Sequence, residues 1–115
     1  MLTSHPAKVL HIYANSTDQW HGRPLYSAII HTCLQLGIAG ATAFRSFEGY
    51  GAHHQLHTAR LLSLSEDLPV RIEVVDTPEA IDRLLAALGE MLRQTLVTVS
   101  DTRVIRWTPS PPGGD

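Results

Sequence analysis

The sequence is short of several residue types, and each shortage excludes a class of protein. Its single cysteine, Cys33, can form no internal disulfide, which fits a reducing compartment. Lys8 is the only lysine, and the formal net charge of -2 at pH 7 is not the basic excess typical of nucleic-acid binders. No apolar run approaches the roughly 20 residues that span a bilayer, and no signal-peptide pattern is present. We therefore expect a cytoplasmic protein with no nucleic-acid partner.

What remains is the composition of one globular domain. The 115 residues can bury a core of their own, and 43% of them are apolar. The stretch "TPSPPGGD" at the end is too rich in proline and glycine to pack against a core. We expect a folded domain over residues 1–107 and a disordered tail over residues 108–115.

Strand and helix patterns alternate along that domain. One helix is predicted to begin at Pro24 and to end before Gly37, and a second to follow the N-cap Thr77 and to carry its apolar stripe as far as Leu92. Strand patterns occupy residues 8–14, 42–47, 70–76 and 95–101, with a short fifth over 102–107. The order is that of an α+β, ferredoxin-like βαββαβ sandwich, in which both helices cover one face of an antiparallel sheet.

The second face of that sheet also needs a cover. Both faces of "KVLHIYA" and "VRIEVVD" look apolar, whereas the helices can cover only one. A monomer would expose a larger apolar patch than soluble proteins usually tolerate. This pattern predicts a homo-oligomer that buries the second face.

Four short motifs follow one another along the chain. They are "G-x-P-L-Y" from Gly22, "G-x-x-G-A-T" from Gly37, "G-Y-G" from Gly49 with His57 after it, and "L-S-E-D-L-P-V" ending at Val70. Together they resemble the P-II-like signal proteins, and the whole chain is most similar to the domain-of-unknown-function family 190, a branch of that superfamily. The resemblance covers roughly residues 8–102.

The resemblance implies a P-II-like homotrimer with its three sheets facing inward. It also implies that an adenine nucleotide (AMP, ADP or ATP) or a similar small anion binds between neighbouring subunits, with no other cofactor. The long connection over residues 49–69 would then be the loop that contacts partner proteins, a membrane transporter among them. Such proteins are signalling proteins rather than enzymes, and the sequence shows no nucleophile–base pair or phosphate-binding loop, so no catalytic residue is assigned.

The expected ligand-binding residues lie at the base of this connection and after the fourth strand. The arginines in "TRVIRW" stand where P-II proteins place arginines that reach nucleotide phosphates, although surface arginines are the alternative. Arg45 is either a ligand contact or an ion-pair partner of Glu48 or Glu73. The glycines of "GYG" allow positive φ or close approach of a ligand, or simply make a turn. The expected set is Thr42, Arg45, Gly49, Tyr50, Gly51, His57, Arg103 and Arg106.

One departure from the P-II pattern limits this expectation. The glycine–lysine turn "G-x-G-K", which cradles phosphates in P-II proteins, is replaced here by "LGEMLRQTLV" with Gly89 alone. We therefore expect AMP or ADP to bind at least as well as ATP, and magnesium to matter little.

Two other functions remain open. The histidines of the connection, His53, His54 and His57, favour a metal-associated trimer like the CutA-type divalent-ion tolerance proteins. However, no cysteine or carboxylate completes a four-ligand site within that motif, and no metal ligand is assigned. The other possibility is a ligand-free scaffold that binds a membrane transporter through the connection. Glu66 and Asp67 are interpreted as a solvated turn rather than an acid–base pair.

Overall fold

A computed structural model of the chain describes residues 1–50, 56–58 and 67–109. The predictions for Gly51, His53, His54 and Glu66 lie outside these residues. The described elements are β1 (Leu2–Asn15), β2 (Gln19–Trp20), β3 (Arg23–Pro24), α1 (Leu25–Gln35), β4 (Ala41–Arg45), β5 (Glu48–Gly49), β6 (His57–Thr58), β7 (Pro69–Asp76), α2 (Pro78–Leu88), a 3₁₀ turn (Gly89–Leu92) and β8 (Leu96–Trp107).

Four strands form one antiparallel sheet in the order β4-β7-β1-β8. Both α-helices pack on the same side of this sheet, and the α+β ferredoxin-like fold predicted from the sequence is confirmed. Among the described helices, none is long and apolar enough to cross a membrane.

The core lies between the helices and one face of the sheet. Leu10 and Ile12 of β1 lie opposite Val74 and Ile72 of β7, and all four side chains are fully buried. The helices supply the remaining apolar side chains, which include Leu25, Ile29, Cys33, Ile81, Leu84 and Leu88. Burial of such side chains contributes about 1.5–3 kcal/mol each, so this layer stabilises most of the fold.

The helix ends follow local sequence signals. The Ala80 N–H donates to Thr77 Oγ1 at 3.2 Å, which confirms Thr77 as the N-cap of α2. Gly37 has a φ of 70°, as expected of a glycine after a helix end. Pro24 is the N-cap of α1 rather than its first helical residue, because its ψ of 133° is extended. Helix α2 ends at Leu88 rather than near Leu92, since Gly89 has a φ of 47° and the chain tightens there into a 3₁₀ turn.

The outer strands differ from the prediction. β1 begins at Leu2, β4 ends at Arg45, and β8 is one continuous strand through Trp107, so the predicted separate fifth strand is wrong. Beyond Lys8, which is paired with Asp76, no β7 residue flanks β1. Residues 2–6 and 103–107 therefore form a two-stranded extension of the sheet, here called the ribbon. One strand of the ribbon comes from each end of the sequence, and neither segment has a strong strand pattern of its own. The two strands pair with each other although nearly the whole chain separates them.

The face opposite the helices is mixed rather than apolar, and the prediction of two apolar faces is wrong. On this face, His11 Nε2 lies 2.8 Å from Glu73 Oε1, and the Arg71 guanidinium carbon lies 4.7 Å from the centre of the Phe44 ring. Tyr13 packs edge-on to the His11 ring. The core-facing residues of β7 are valines and isoleucine, whereas the residues between them on the other face are mostly charged.

Candidate functional site

The connection after β5 leaves the sheet from a fixed base. β5 pairs with β6, and this pairing places Gly49 directly opposite His57. The Ser46 N–H and hydroxyl both donate to the Pro69 carbonyl oxygen, at 3.0 and 2.8 Å. The segment that enters the connection is therefore hydrogen-bonded both to β6 and to the first residue of β7. The β5–β6 pairing brings together Gly49 and His57, both of which belong to the expected ligand-binding set.

A serine after β1 holds the returning chain from the other side. The Ser16 N–H donates to the Leu68 carbonyl oxygen at 2.7 Å, and the Leu68 N–H donates to Ser16 Oγ at 2.9 Å. Leu68 is fully buried, so one serine satisfies both backbone groups of a residue that water cannot reach. Asp67, which is half-buried, accepts a long hydrogen bond of 3.4 Å from the Thr17 N–H.

Tight packing against Pro69 favours a glycine at position 49. Its φ is not positive, unlike those of Gly22, Gly37 and Gly89, so the alternative of a left-handed backbone is wrong for this residue. A Cβ built on Gly49 would lie 3.3 Å from Pro69 Cγ, which is tighter than ordinary contact. The glycine therefore lets the departing chain lie directly against the first residue of β7.

Arg45 and Tyr50 flank this base with side chains open to solvent. Arg45 is the last residue of β4, pairs with Val70 and is exposed. Tyr50 follows Gly49 directly and is 64% exposed. An exposed guanidinium and an exposed phenol beside a fixed backbone turn can bind an anion or stack on a planar ring.

Arg45 and Thr42 lie on opposite faces of the sheet. Glu73 binds His11, and within the described residues Arg45 forms no ion pair with Glu73 or with Glu48. Thr42 lies opposite Glu73 and is on the face that the helices leave uncovered. Adjacent strand residues alternate between faces, so Arg45 lies on the helix side of the sheet and Thr42 on the other.

Arg103 and Arg106 lie far from this base along the sheet. Both belong to the ribbon, where Arg103 pairs with Pro6 and Arg106 with Thr3. Pro6 precedes Ala14, the β1 residue level with the loop base, by eight residues, which is about 26 Å along a strand. Arg103 Nη2 donates to Ser4 Oγ at 2.6 Å. Within one subunit the expected residues that the structure describes therefore form two separate groups.

The segment after α2 shows why a phosphate cradle is missing. Gly89 caps α2, and its N–H donates to the Leu85 carbonyl oxygen. The chain then turns through a 3₁₀ helix to Leu92. The one glycine of "LGEMLRQTLV" thus ends a helix instead of exposing a row of backbone N–H groups.

The described residues hold no cluster of three or more metal-ligating side chains. His57 lies in β6, and its backbone pairs with Gly49. Cys33 of α1 is buried in the core, and burial raises the pKa of its thiol.

The hairpin formed by β2 and β3 is not among the elements predicted from the sequence. Trp20 pairs with Arg23, and His21 and Gly22 between them have φ values of 49° and 83°. Positive φ at both central residues is the mark of a type I′ turn. The tight "WHGR" turn is the signal that could have revealed this hairpin.

Comparison with known proteins agrees with this architecture. The family model of the domain-of-unknown-function family 190, described as "Uncharacterized ACR", matches residues 7–104. A UPF0166 protein of Aquifex aeolicus (strain VF5) is 32% identical over 98 residues, covering 85% of this chain and 92% of that protein.

Solved structures with the same fold include two kinds of protein. CPII, a nitrogen regulatory PII-like protein from Thiomonas intermedia K12 bound to ADP, AMP and bicarbonate, has a TM-score of 0.66 and 21% identity over 89% of this chain and 91% of that chain. CutA from Synechococcus elongatus PCC7942 has a TM-score of 0.60 and 12% identity over 92% of this chain and 85% of that chain. The chain belongs to the domain-of-unknown-function family 190, whose model matches residues 7–104.

Proposed function

We propose that this chain is a non-enzymatic, P-II-like regulatory subunit. It forms a homotrimer, binds an adenine nucleotide or a similar small anion where two subunits meet, and signals through the connection over residues 49–69. The observation that carries the proposal is the separation of the loop base from the arginines of the ribbon. Each group alone supplies part of an anion site, and a neighbouring subunit would supply the missing part.

Exposed apolar residues support assembly. In the ribbon, Leu2, Ile105 and Trp107 are 70%, 55% and 71% exposed. A two-stranded ribbon is only marginally stable by itself in water. Burial of these side chains and of Tyr13 and Phe44 on the uncovered face would stabilise the assembled protein.

The missing phosphate cradle supports a preference among nucleotides. Because Gly89 ends a helix, the phosphate groups of a nucleotide would instead accept hydrogen bonds from arginine side chains and from backbone N–H groups near Gly49. The proposed site therefore suits AMP or ADP at least as well as ATP and does not need magnesium. CPII, with the same fold, is bound to ADP and AMP, which fits this preference.

Calorimetric titration with AMP, ADP and ATP, with and without magnesium, tests the ligand. Hydrogen bonds to charged groups contribute about 1.5–3 kcal/mol, so Arg103→Gln should weaken binding by about ten- to a hundredfold. Arg83→Gln is the matched control, because Arg83 is an exposed arginine on α2 outside the proposed site. Magnesium-dependent preference for ATP would contradict the argument from the missing cradle.

A mixing experiment tests whether the site is shared between subunits. Arg45→Gln and Arg103→Gln subunits are unfolded, mixed in equal amounts and refolded. If one site takes Arg45 from one subunit and Arg103 from the next, mixed trimers regain some intact sites, whereas neither variant alone has any. No recovery in well-folded mixed trimers would show that the two arginines do not share a site.

Two results would replace this proposal. Absence of nucleotide binding together with capture of a transporter through the connection would favour the ligand-free scaffold. Stoichiometric divalent metal in the purified protein, lost on His57→Gln, would favour the metal-associated reading that the CutA fold likeness supports.

A further inference from the structure

A cleft on the helix side of the molecule has the features of a second ligand site. It lies between the β2–β3 hairpin and α1, and its volume is about 270 Å³. None of its lining residues belongs to the proposed inter-subunit site, and the described lining contains no acidic residue. The lining side chains that matter here are Trp20, His21, Arg23, His31 and Gln35.

Arg23 and His31 both line the cleft, and their side-chain nitrogens approach each other. His31 Nδ1 lies 2.8 Å from the Ser27 carbonyl oxygen, and a carbonyl can only accept, so Nδ1 carries a proton. Arg23 Nη2 lies 3.5 Å from the same nitrogen. Both groups are therefore donors, and this contact is not a hydrogen bond between them.

Among the described residues, Arg23 has no ion-pair partner. The ion pairs among the described residues are Lys8 with Asp101 and His11 with Glu73, and neither involves Arg23. The Gln35 side chain adds an amide that can donate to an oxygen of a ligand. A guanidinium and further donors in a cleft without carboxylates favour an anion.

Two aromatic rings in the lining of the cleft stack on each other. The rings of Trp20 and His21 stack with centroids 4.4 Å apart and an angle of 9° between their planes. The turn holds this pair in place, because His21 adopts a φ of 49°, which few residues other than glycine adopt. Two stacked rings at the edge of a cleft form a platform for a planar group.

We propose that this cleft binds a small planar anion, an aromatic or heteroaromatic ring that carries one phosphate or carboxylate. The ring stacks on the Trp20–His21 platform, and the anionic group accepts hydrogen bonds from Arg23 and Gln35. The volume is at the lower limit of ordinary ligand pockets, so one ring with one anionic group fits better than a dinucleotide. This site is independent of the proposed nucleotide site and lies within a single subunit.

The test uses tryptophan fluorescence. The sequence has two tryptophans, so Trp107→Phe leaves Trp20 as the sole reporter. The protein is titrated with phenyl phosphate and benzoate as planar anions, with inorganic phosphate as charge without a ring, and with benzyl alcohol as a ring without charge. We expect saturable changes with a planar anion at concentrations at least about tenfold below those needed for either control compound. The tighter of the two planar anions identifies phosphate or carboxylate as the preferred group.

Variants locate the site. Arg23→Gln should weaken binding of the planar anion by about tenfold or more, whereas Arg83→Gln should leave it unchanged. Calorimetry on the protein with both tryptophans, using the same four compounds, checks the result without relying on Trp20. The proposal is overturned if no compound binds saturably by either method, if inorganic phosphate or benzyl alcohol binds as tightly as the planar anions, or if Arg23→Gln has no effect. Because Arg23→Gln tests this site and Arg103→Gln tests nucleotide binding, failure of this site and failure of the proposed function are distinguishable.

Discussion

His11 Nε2 and Glu73 Oε1 lie 2.8 Å apart on the sheet face that the helices do not cover. The two residues are directly opposite each other on β1 and β7, so the contact is built into the strand register. In a lone subunit both side chains are partly open to solvent, at 26% and 36% exposure. If this face is buried by neighbouring subunits, the pair becomes desolvated and its geometry constrains how the sheets meet.

Truncation of this pair should therefore reveal whether the face is buried. We expect His11→Ala to destabilise the assembled protein by about 3–5 kcal/mol, because Glu73 would be left buried without a partner. In an unassembled subunit the loss should stay below about 1 kcal/mol, since an exposed pair contributes little. Light scattering on dilution shows whether the protein is assembled, and urea unfolding measures the loss of stability in the assembled and the unassembled state.

The double variant His11→Leu/Glu73→Leu is the control for that prediction. It removes both partners and leaves an apolar surface, which at a buried interface is often neutral or stabilising. A double variant as unstable as His11→Ala would show that the pair itself, rather than an orphaned charge, holds the subunits together.

Much of the fold could be predicted because its signals are local. The Thr77 cap and the left-handed Gly37 belong to short sequence patterns with direct physical causes, and both were found where the patterns place them. The uncovered face was mispredicted because the valines of β7 obscure the alternation of Arg71 and Glu73. The residues that contact these two charged groups, Phe44 and His11, lie on other strands.

The ribbon and the site depend on pairing between distant parts of the chain. Leu2 pairs with Trp107, and neither end of the sequence shows how far the strands extend together. The same pairing places Arg103 far from Gly49, which no local pattern indicates. The sequence could therefore nominate site residues but could not show that one subunit separates them.

Gly49→Ala should destabilise the base of the connection. The new Cβ would lie 3.3 Å from Pro69 Cγ, so that side chain or the departing chain must shift, at a cost of about 1 kcal/mol. Gly40→Ala is the matched control, because a Cβ there meets nothing within 4 Å and its φ is not positive. We expect Gly40→Ala to be neutral or to stabilise by about 0.4–1 kcal/mol through the unfolded state. Equal urea midpoints for the two variants would contradict the packing role of Gly49.

The two serines at the loop base should differ in importance. Ser16→Ala leaves the N–H of the buried Leu68 without its acceptor, which should cost about 1–3 kcal/mol. Ser46→Ala should cost less, because the Pro69 carbonyl oxygen still accepts a hydrogen bond from the Ser46 N–H at 3.0 Å. Chemical unfolding of both variants gives the comparison, and a larger loss for Ser46→Ala would show that the hydroxyl of Ser46 has another role.

The buried thiol of Cys33 should be protected until the protein unfolds. Burial raises the pKa of Cys33 above its ordinary value of 9.0, and its side chain is 2% exposed, so little thiolate is present or accessible near neutral pH. The single cysteine makes alkylation by iodoacetamide a direct count by mass spectrometry. We expect slow labelling of the folded protein and rapid labelling in denaturant.

The same thiol should make stability depend on pH. The folded state holds the thiol proton of Cys33 more tightly than the unfolded state, so the free energy of unfolding should be unaffected by the thiol below pH 9.0 and should fall as the pH rises above it. Cys33→Ala removes that dependence, and rapid labelling of the native protein at neutral pH would mean that the core between the sheet and α1 opens readily.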